Sequence, residues 1–280
     1  MNSKDIKKFV LKLKRNPDSH KYDYGHVLVI AGSESMPGAG VLCCNGAMRA
    51  GAGLVTYAAE EDFLYNACSM SRPETMFFIY RSSSDIVEFI EKRKVSAAVI
   101  GPGLACEKTA RKFIEKIIYS VEIPVVLDAS AISVFNGKCA RLKKSKAKLI
   151  LTPHAGEFSK LTGQDSDYVK KDKAFAADRF AEDNLLVCVL KGNNTAVCDG
   201  ENIYVNYTGT PAMAKAGSGD VLGGMIAAFA SVDSDLFEAA KFAVYIHGLA
   251  GEAAEREKGS AGVIASDIVE NIPFVMRRLL

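Results

Sequence analysis

Short apolar runs recur along this chain, and their hydrophobicity is continuous rather than alternating: Val27-Leu28-Val29-Ile30, Leu54-Val55-Thr56-Tyr57, Ala97-Ala98-Val99-Ile100, Val125-Val126-Leu127, Leu149-Ile150-Leu151 and Cys188-Val189-Leu190. A strand with one wet face alternates apolar and polar residues. A run that is apolar at every position has to be covered on both faces, as strands are in a parallel sheet lying between helices. Gly, Pro or Asp bounds these runs, and helix-length segments lie between them, for example 41–50, 85–94, 109–119 and 168–182. The alternation predicts an α/β chain, a three-layer α/β/α fold with a mainly parallel central sheet. Segments 195–198 and 202–207 flank Asp199-Gly200 and predict a hairpin. Ala and Gly crowd a helical pattern over 220–230 and 237–255, which suits two helices packed closely on the sheet. With no repeat and no low-complexity linker in view, residues 1–280 are expected to form one domain.

Composition removes several function classes. At 280 residues, 49% hydrophobic and 24% charged, the chain is large enough to bury roughly three quarters of its unfolded surface, so neither metal nor disulfide is needed for folding. A formal net charge of +2 is no footprint for nucleic acid, and the basic runs 7–15 and 141–148 suit solvated surface. Cys43, Cys44, Cys68, Cys106, Cys139, Cys188 and Cys198 show no C-x-x-C spacing, so neither a zinc cluster nor a disulfide framework is indicated. The polar, lysine-rich N-terminus lacks a signal-peptide core, and no stretch of about 18 apolar residues follows. The expected setting is the cytoplasm, with no membrane partner.

In such sheets ligands bind beyond the carboxyl ends of the strands. The segment richest in chemistry is Thr208 to Gly224, which contains Ala216-Gly217-Ser218-Gly219-Asp220. Gly217 and Gly219 let backbone approach a ligand, and a helix starting at about Asp220 aims its unpaired amides at the loop. An anion there gains on the order of 1 kcal/mol. An aspartate repels phosphate but can take a proton from an attacking hydroxyl. Asp220 is therefore a candidate catalytic base, with a plain helix N-cap as its structural alternative.

Lys191-Gly192-Asn193-Asn194-Thr195 offers a cation and amides to phosphates after a strand, or else forms a turn before the hairpin. Thr152-Pro153-His154-Ala155-Gly156-Glu157 also follows a strand, which would turn His154 and Glu157 toward the crevice, unless Glu157 merely complements its helix. The turn 31–40 is Gly-rich but lacks G-x-G-x-x-G, so a Rossmann reading fails there.

Taken in order, Gly25-His26-Val27-Leu28-Val29-Ile30, Arg49-Ala50-Gly51-Ala52-Gly53-Leu54-Val55-Thr56, Gly101-Pro102-Gly103, Thr152 through Phe158 and Ala216 through Leu222 resemble the ADP- or ATP-dependent NAD(P)H-hydrate dehydratases of the ribokinase-like fold. The resemblance runs from Lys21 to Ile268. It implies a repair lyase that returns the hydrates NADHX and NADPHX to NADH and NADPH by phosphorylating the hydroxyl and expelling phosphate. It places the hydrate at Ala39, Gly103, His154 and Asp220, and the adenine nucleotide at Lys191, Gly192, Asn193, Asn194, Thr195 and Gly219. The amides of Gly217, Ser218 and Gly219 would stabilise the moving phosphoryl group. It further implies Mg2+ with Glu157 as an indirect partner, a homotetramer, and a separate epimerase, since no fused epimerase domain is seen. Ser130 and Ser133 stand where the family commonly has Asp and Asn, and Ala155 where it has Pro. The alternatives are a ribokinase-like kinase acting on a thiazole or pyrimidine alcohol and a nucleotide-binding module whose catalysis has decayed.

Overall fold

The computed structural model describes residues 3–105 and 109–279; Cys106 lies outside the described residues. The strands are β1 (His26–Ile30), β2 (Leu54–Ala59), β3 (Met76–Ile79), β4 (Ala97–Ile100), β5 (Pro124–Leu127), β6 (Lys148–Leu151), β7 (Val187–Leu190), β8 (Ala196–Cys198) and β9 (Ile203–Val205). They form one nine-stranded sheet in the order β3-β2-β1-β4-β5-β6-β7-β8-β9. β1 to β7 pair in parallel, and β8 and β9 add antiparallel strands at one edge. The expected hairpin is present as β8 and β9, with Asp199 Oδ1 accepting from the Glu201 and Asn202 amides in the turn.

Helices cover both faces. The first set is α1 (Ser3–Lys12), α2 (Pro37–Arg49), α3 (Glu61–Met70), α4 (Ser83–Lys92), α5 (Ala110–Ile118) and α6 (Ser130–Ser133). The remainder are α7 (Ala155–Thr162), α8 (Ser166–Lys171), α9 (Lys173–Asn184), α10 (Ser218–Ala230), α11 (Leu236–Lys258) and α12 (Ala265–Leu279). Successive side chains of a strand point to opposite faces, so one continuous apolar run feeds two cores. Val27 and Val29 enter the core under α1, α2, α10, α11 and α12. Leu28 and Ile30 enter the other, under α4, α5, α7 and α9. The three-layer expectation is met for this reason. Among the described residues no helix is long and apolar enough to cross a membrane.

Two helix expectations shift. Segment 168–182 is not one helix: it breaks at Asp172, whose carboxylate caps α9 by accepting from the Phe175 amide at 3.0 Å. Segment 220–230 starts two residues earlier, at Ser218, because left-handed Gly217 (φ 89) is the N-cap. α2 likewise begins before Val41, with Pro37 in its first turn, where a missing N–H costs nothing.

The small residues of α2 and α10 let the two backbones touch. A Cβ on Gly224 would lie 2.9 Å from both the Cys43 carbonyl carbon and the Ala47 amide nitrogen, and one on Gly46 would lie 3.1 Å from Val221 Cα. This close packing fixes α10 over the central strands β1, β4 and β5. Gly to Ala in a helix ordinarily stabilises by about 0.4–1 kcal/mol through the unfolded chain. At Gly224 the clash is with backbone, which cannot rotate away, so Gly224→Ala is expected to destabilise by about 1–3 kcal/mol. Gly38→Ala, with nothing within 4 Å of its new Cβ, should be neutral or stabilising; urea denaturation of both variants checks the contrast.

Candidate active site

The loops that carry the chemistry leave the C-terminal ends of β1, β4, β5, β6 and β7. The strand order reverses between β1 and β4, the switch point at which open α/β sheets bind ligands. There the Gly32 amide donates to the Pro102 carbonyl at 2.7 Å. A Cβ on Gly103 (φ +65) would stand 2.8 Å from Ala39 Cβ and 2.9 Å from the Met36 carbonyl oxygen. Ala39 and Gly103, far apart in sequence, therefore meet across the switch point.

Asp220 lies in the first turn of α10, beyond the Gly217 cap, so the plain N-cap alternative does not describe it. Burial, and then repulsion from Asp128, push its carboxyl up to about 6, while Lys191 pulls the other way. A carboxylate poised near neutrality suits a proton acceptor.

The Lys191 Nζ donates to Asp128 Oδ1 at 2.7 Å, with the side chains 19% and 2% exposed respectively. Burial pulls the ammonium down, but Asp128, with Glu157 and Asp220, outweighs this and holds Lys191 above the ordinary lysine value. Lys191 is thus a charged bridge between the ends of β5 and β7, close enough to α10 that a Cβ on Gly219 would lie 3.3 Å from its Nζ. Asp128 was given no role from the sequence alone, yet it pairs with Lys191 and raises the Asp220 carboxyl. Its only local signal was a lone acid directly after an apolar strand, and its partner is 63 residues away. Beside it Ala129 sits at φ 48, ψ −115, strain worth on the order of 1–3 kcal/mol.

Lys191 to Thr195 form the β7–β8 turn, so the plain turn reading describes the loop's shape. Thr195 Oγ1 donates to the Gly192 carbonyl (2.9 Å) and accepts from the Gly192 amide (3.3 Å). Asn193 and Asn194 are exposed, and Asn194 adopts φ 53. The Lys191 amide donates to the Pro153 carbonyl at 2.8 Å and pairs the turn with His154.

His154 caps α7: its Nδ1 accepts from the Gly156 and Glu157 amides (3.0 and 3.1 Å), while Glu157 Oε2 accepts from the His154 amide at 2.9 Å. An accepting Nδ1 puts the neutral ring's proton on Nε2, which lies 3.6 Å from Glu157 Oε2. His154 remains exposed and able to present that N–H. Glu157 both complements its helix and lends charge to Lys191. Ser130 donates to the Leu104 carbonyl at 2.8 Å and ties two loops together, while Ser133 donates to the Ala129 carbonyl at 3.3 Å within the turn of α6.

His247, also missed, is buried on α11 with Nε2 3.5 Å from Ser218 Oγ. Burial pushes it down to about 4, so it supports the Gly217-Ser218-Gly219 turn as a neutral ring. The other two quoted motifs lie elsewhere. His26 Nε2 bonds Thr56 Oγ1 at 2.8 Å where β1 and β2 begin, far from the strand ends that form the site.

A family model described as NAD(P)H-hydrate dehydratase matches residues 27–274. The chain belongs to the NAD(P)H-hydrate dehydratase family. It is 33% identical over 268 residues to the ADP-dependent (S)-NAD(P)H-hydrate dehydratase of Bacillus subtilis, covering 94% of this chain and 93% of that one. The crystal structure of a B. subtilis ADP/ATP-dependent NAD(P)H-hydrate dehydratase, co-crystallised with ATP/Mg2+, superposes with a TM-score of 0.88 at 30% identity, covering 100% of this chain and 98% of that chain. A bifunctional NAD(P)H-hydrate repair enzyme of Moorella thermoacetica is 34% identical over 277 residues, 95% of this chain but 52% of the relative. The chain thus spans about half the length of the bifunctional relatives. A ribokinase-like superfamily protein of Enterococcus faecalis (TM-score 0.82, 24% identity, covering 100% of this chain and 95% of that chain) shares the fold.

The Asp220 environment has a thermodynamic signature. With its folded pKa near 6, above the ordinary 3.8, the native state binds the proton more tightly, so stability falls as pH rises between those values. Asp220→Asn removes that loss. Urea denaturation should show the variant gaining on the order of 2 kcal/mol over wild type between pH 4 and pH 7; an unchanged difference would show that Asp220 is an ordinary surface acid.

Proposed function

We propose that this chain dehydrates NADHX and NADPHX to NADH and NADPH at the expense of ADP or ATP, in two steps at the α10 N-terminus. The observation that carries the reading is Asp220: an acid poised near neutrality beside glycine-capped helix amides, in a chain of this family. Asp220 takes the proton of the hydrate hydroxyl as its oxygen attacks the donor's terminal phosphoryl group. A new P–O bond forms, the bond to the leaving nucleotide breaks, and the amides of Gly217, Ser218 and Gly219 receive the charge spread over the phosphoryl oxygens. In the second step the C–O bond breaks with phosphate as leaving group. The neighbouring carbon gives up a proton to the departing phosphate, and its C–H electron pair forms the ring double bond. Phosphorylation matters because water is a poor leaving group and phosphate a good one.

Ala39, Gly103 and His154 would hold the hydrate, and Lys191 to Thr195 with Gly219 the adenine nucleotide. The packing of Gly103 on Ala39 brings together the two loops assigned to the hydrate. The ion pair with Asp128 uses one of the three Lys191 donors and fixes the ammonium at the site, where it also shapes the local field.

The donor set fits Mg2+ carried mainly by phosphates and water. Glu157 and Asp128 each have one oxygen engaged by the protein, and no group of three or more candidate metal ligands occurs among the described residues. Glu157 would reach such an ion through water, and the ion when bound would neutralise phosphate charge. The relation to dehydratases over nearly the whole chain favours this reading over a vitamin-alcohol kinase.

Mixing the protein with NADHX, Mg2+ and either nucleotide should restore dihydronicotinamide absorbance, whereas a stable phosphorylated product with no recovery would establish a kinase instead. Asp220→Asn should lower turnover roughly 10²- to 10⁴-fold while still binding nucleotide. Because a base acts when ionised, kcat/KM should fall as pH drops through about 6. A profile flat to pH 4.5 would remove Asp220 from that role.

A further inference from the structure

The turn assigned to the nucleotide contains a lysine whose charge is already used. Lys191 pairs with Asp128, and Glu157 and Asp220 add further negative charge around it, so a polyphosphate calls for a second cation. One stands on the turn's other side. Lys173, the first residue of α9, sends its Nζ to the Asn193 carbonyl at 2.5 Å, and a Cβ on Gly192 would lie 3.3 Å from that same nitrogen. Lys173 is half-buried, and its hydrogen bond is to a neutral carbonyl; among the described residues no carboxylate pairs with it. Burial alone holds its pKa below the usual lysine value. A partly desolvated ammonium with no counter-charge is costly, and such groups are normally matched by an anion.

From Lys173 we infer a further binding site, for the inner, non-transferred phosphate of the nucleoside di- or triphosphate. This rests on the assignment of the 191–195 turn to the nucleotide. The geometry orders the contacts. Gly219 lies beside Lys191 Nζ, and Gly192, the next residue along the turn, lies beside Lys173 Nζ. A donor with its terminal phosphoryl at Gly219 therefore crosses the turn and brings its inner phosphate to Lys173. The charges that set the Asp220 pKa are those of Asp128 and Lys191, and Lys173 is not among them, so it stands outside the reacting centre. Lys173 should accordingly act on nucleotide affinity and leave the chemical step alone.

Calorimetric binding of ADP, AMP and adenosine to the full chain tests this, with Lys173→Met, Lys173→Gln and Lys173→Arg. Glutamine keeps a donor for the Asn193 carbonyl but loses the charge. Both neutral variants should bind ADP about tenfold more weakly and adenosine as wild type does, with Lys173→Arg close to wild type. In turnover, the nucleotide KM should rise about tenfold while kcat stays within about twofold. Wild-type ADP affinity in Lys173→Gln would reduce Lys173 to a loop tie and overturn the inference. An equal loss for adenosine would do the same. If wild type binds ADP and the variants do not differ from it, only the Lys173 assignment falls; if wild type binds no adenine nucleotide, the assignment of the turn falls with it.

Discussion

The buried pair of Lys191 with Asp128 is the interaction on which the site depends. It joins the ends of β5 and β7 across β6 and takes the one cation of the 191–195 turn out of solvent. A buried charge pair adds little net stability over an apolar pair, yet removing one partner leaves an uncompensated charge costing about 3–5 kcal/mol. Its use here is to set the local field. Asp128 raises Asp220, Lys191 lowers it, and with burial the balance lies near neutrality. An acid in water at its ordinary pKa would be a weaker base, and one without Lys191 nearby would hold its proton more tightly.

Placing Asp220 in that field requires α10 to end at the correct height. The backbone contact with α2 through Gly46 and Gly224 provides this, and left-handed Gly217 starts the helix without a side chain in the way. Leu42 of α2 packs against Gly217, so the same helix supports both the cap and the packing seam. Two tight glycine contacts and one turn thus place a helix start, whose free amides suit an anion, with an acid beside it.

Much of the architecture could be read from the residues. The continuous apolar runs correspond to β1, β2, β4, β5, β6 and β7, because strands buried on both faces admit no alternation. β3 escaped notice: as an edge strand with Ile79 exposed, its Met-Phe-Phe-Ile run is too short and too mixed to separate from a helix segment. The break at Asp172 escaped for a different reason. A side-chain cap inside an otherwise helical pattern is invisible to periodicity and appears only as a hydrogen bond.

The sequence by itself determined the layered α/β fold, the Gly-rich turn before α10, the identity of the acid at its start and the loops that surround it, because each is a local matter of hydropathy, turn chemistry and residue type. It also carried the resemblance to the dehydratase family. Tertiary structure alone decided what those residues are to one another. It made Lys191 a partner of Asp128 rather than an open cation, His154 a cap whose ring still faces outward, and His247 a neutral support behind Ser218. It also brought Lys173 to the turn from a separate helix. The physical reason is common to all four: charge state and hydrogen-bond partners depend on burial and on groups distant in the chain, and no local pattern of residues records either.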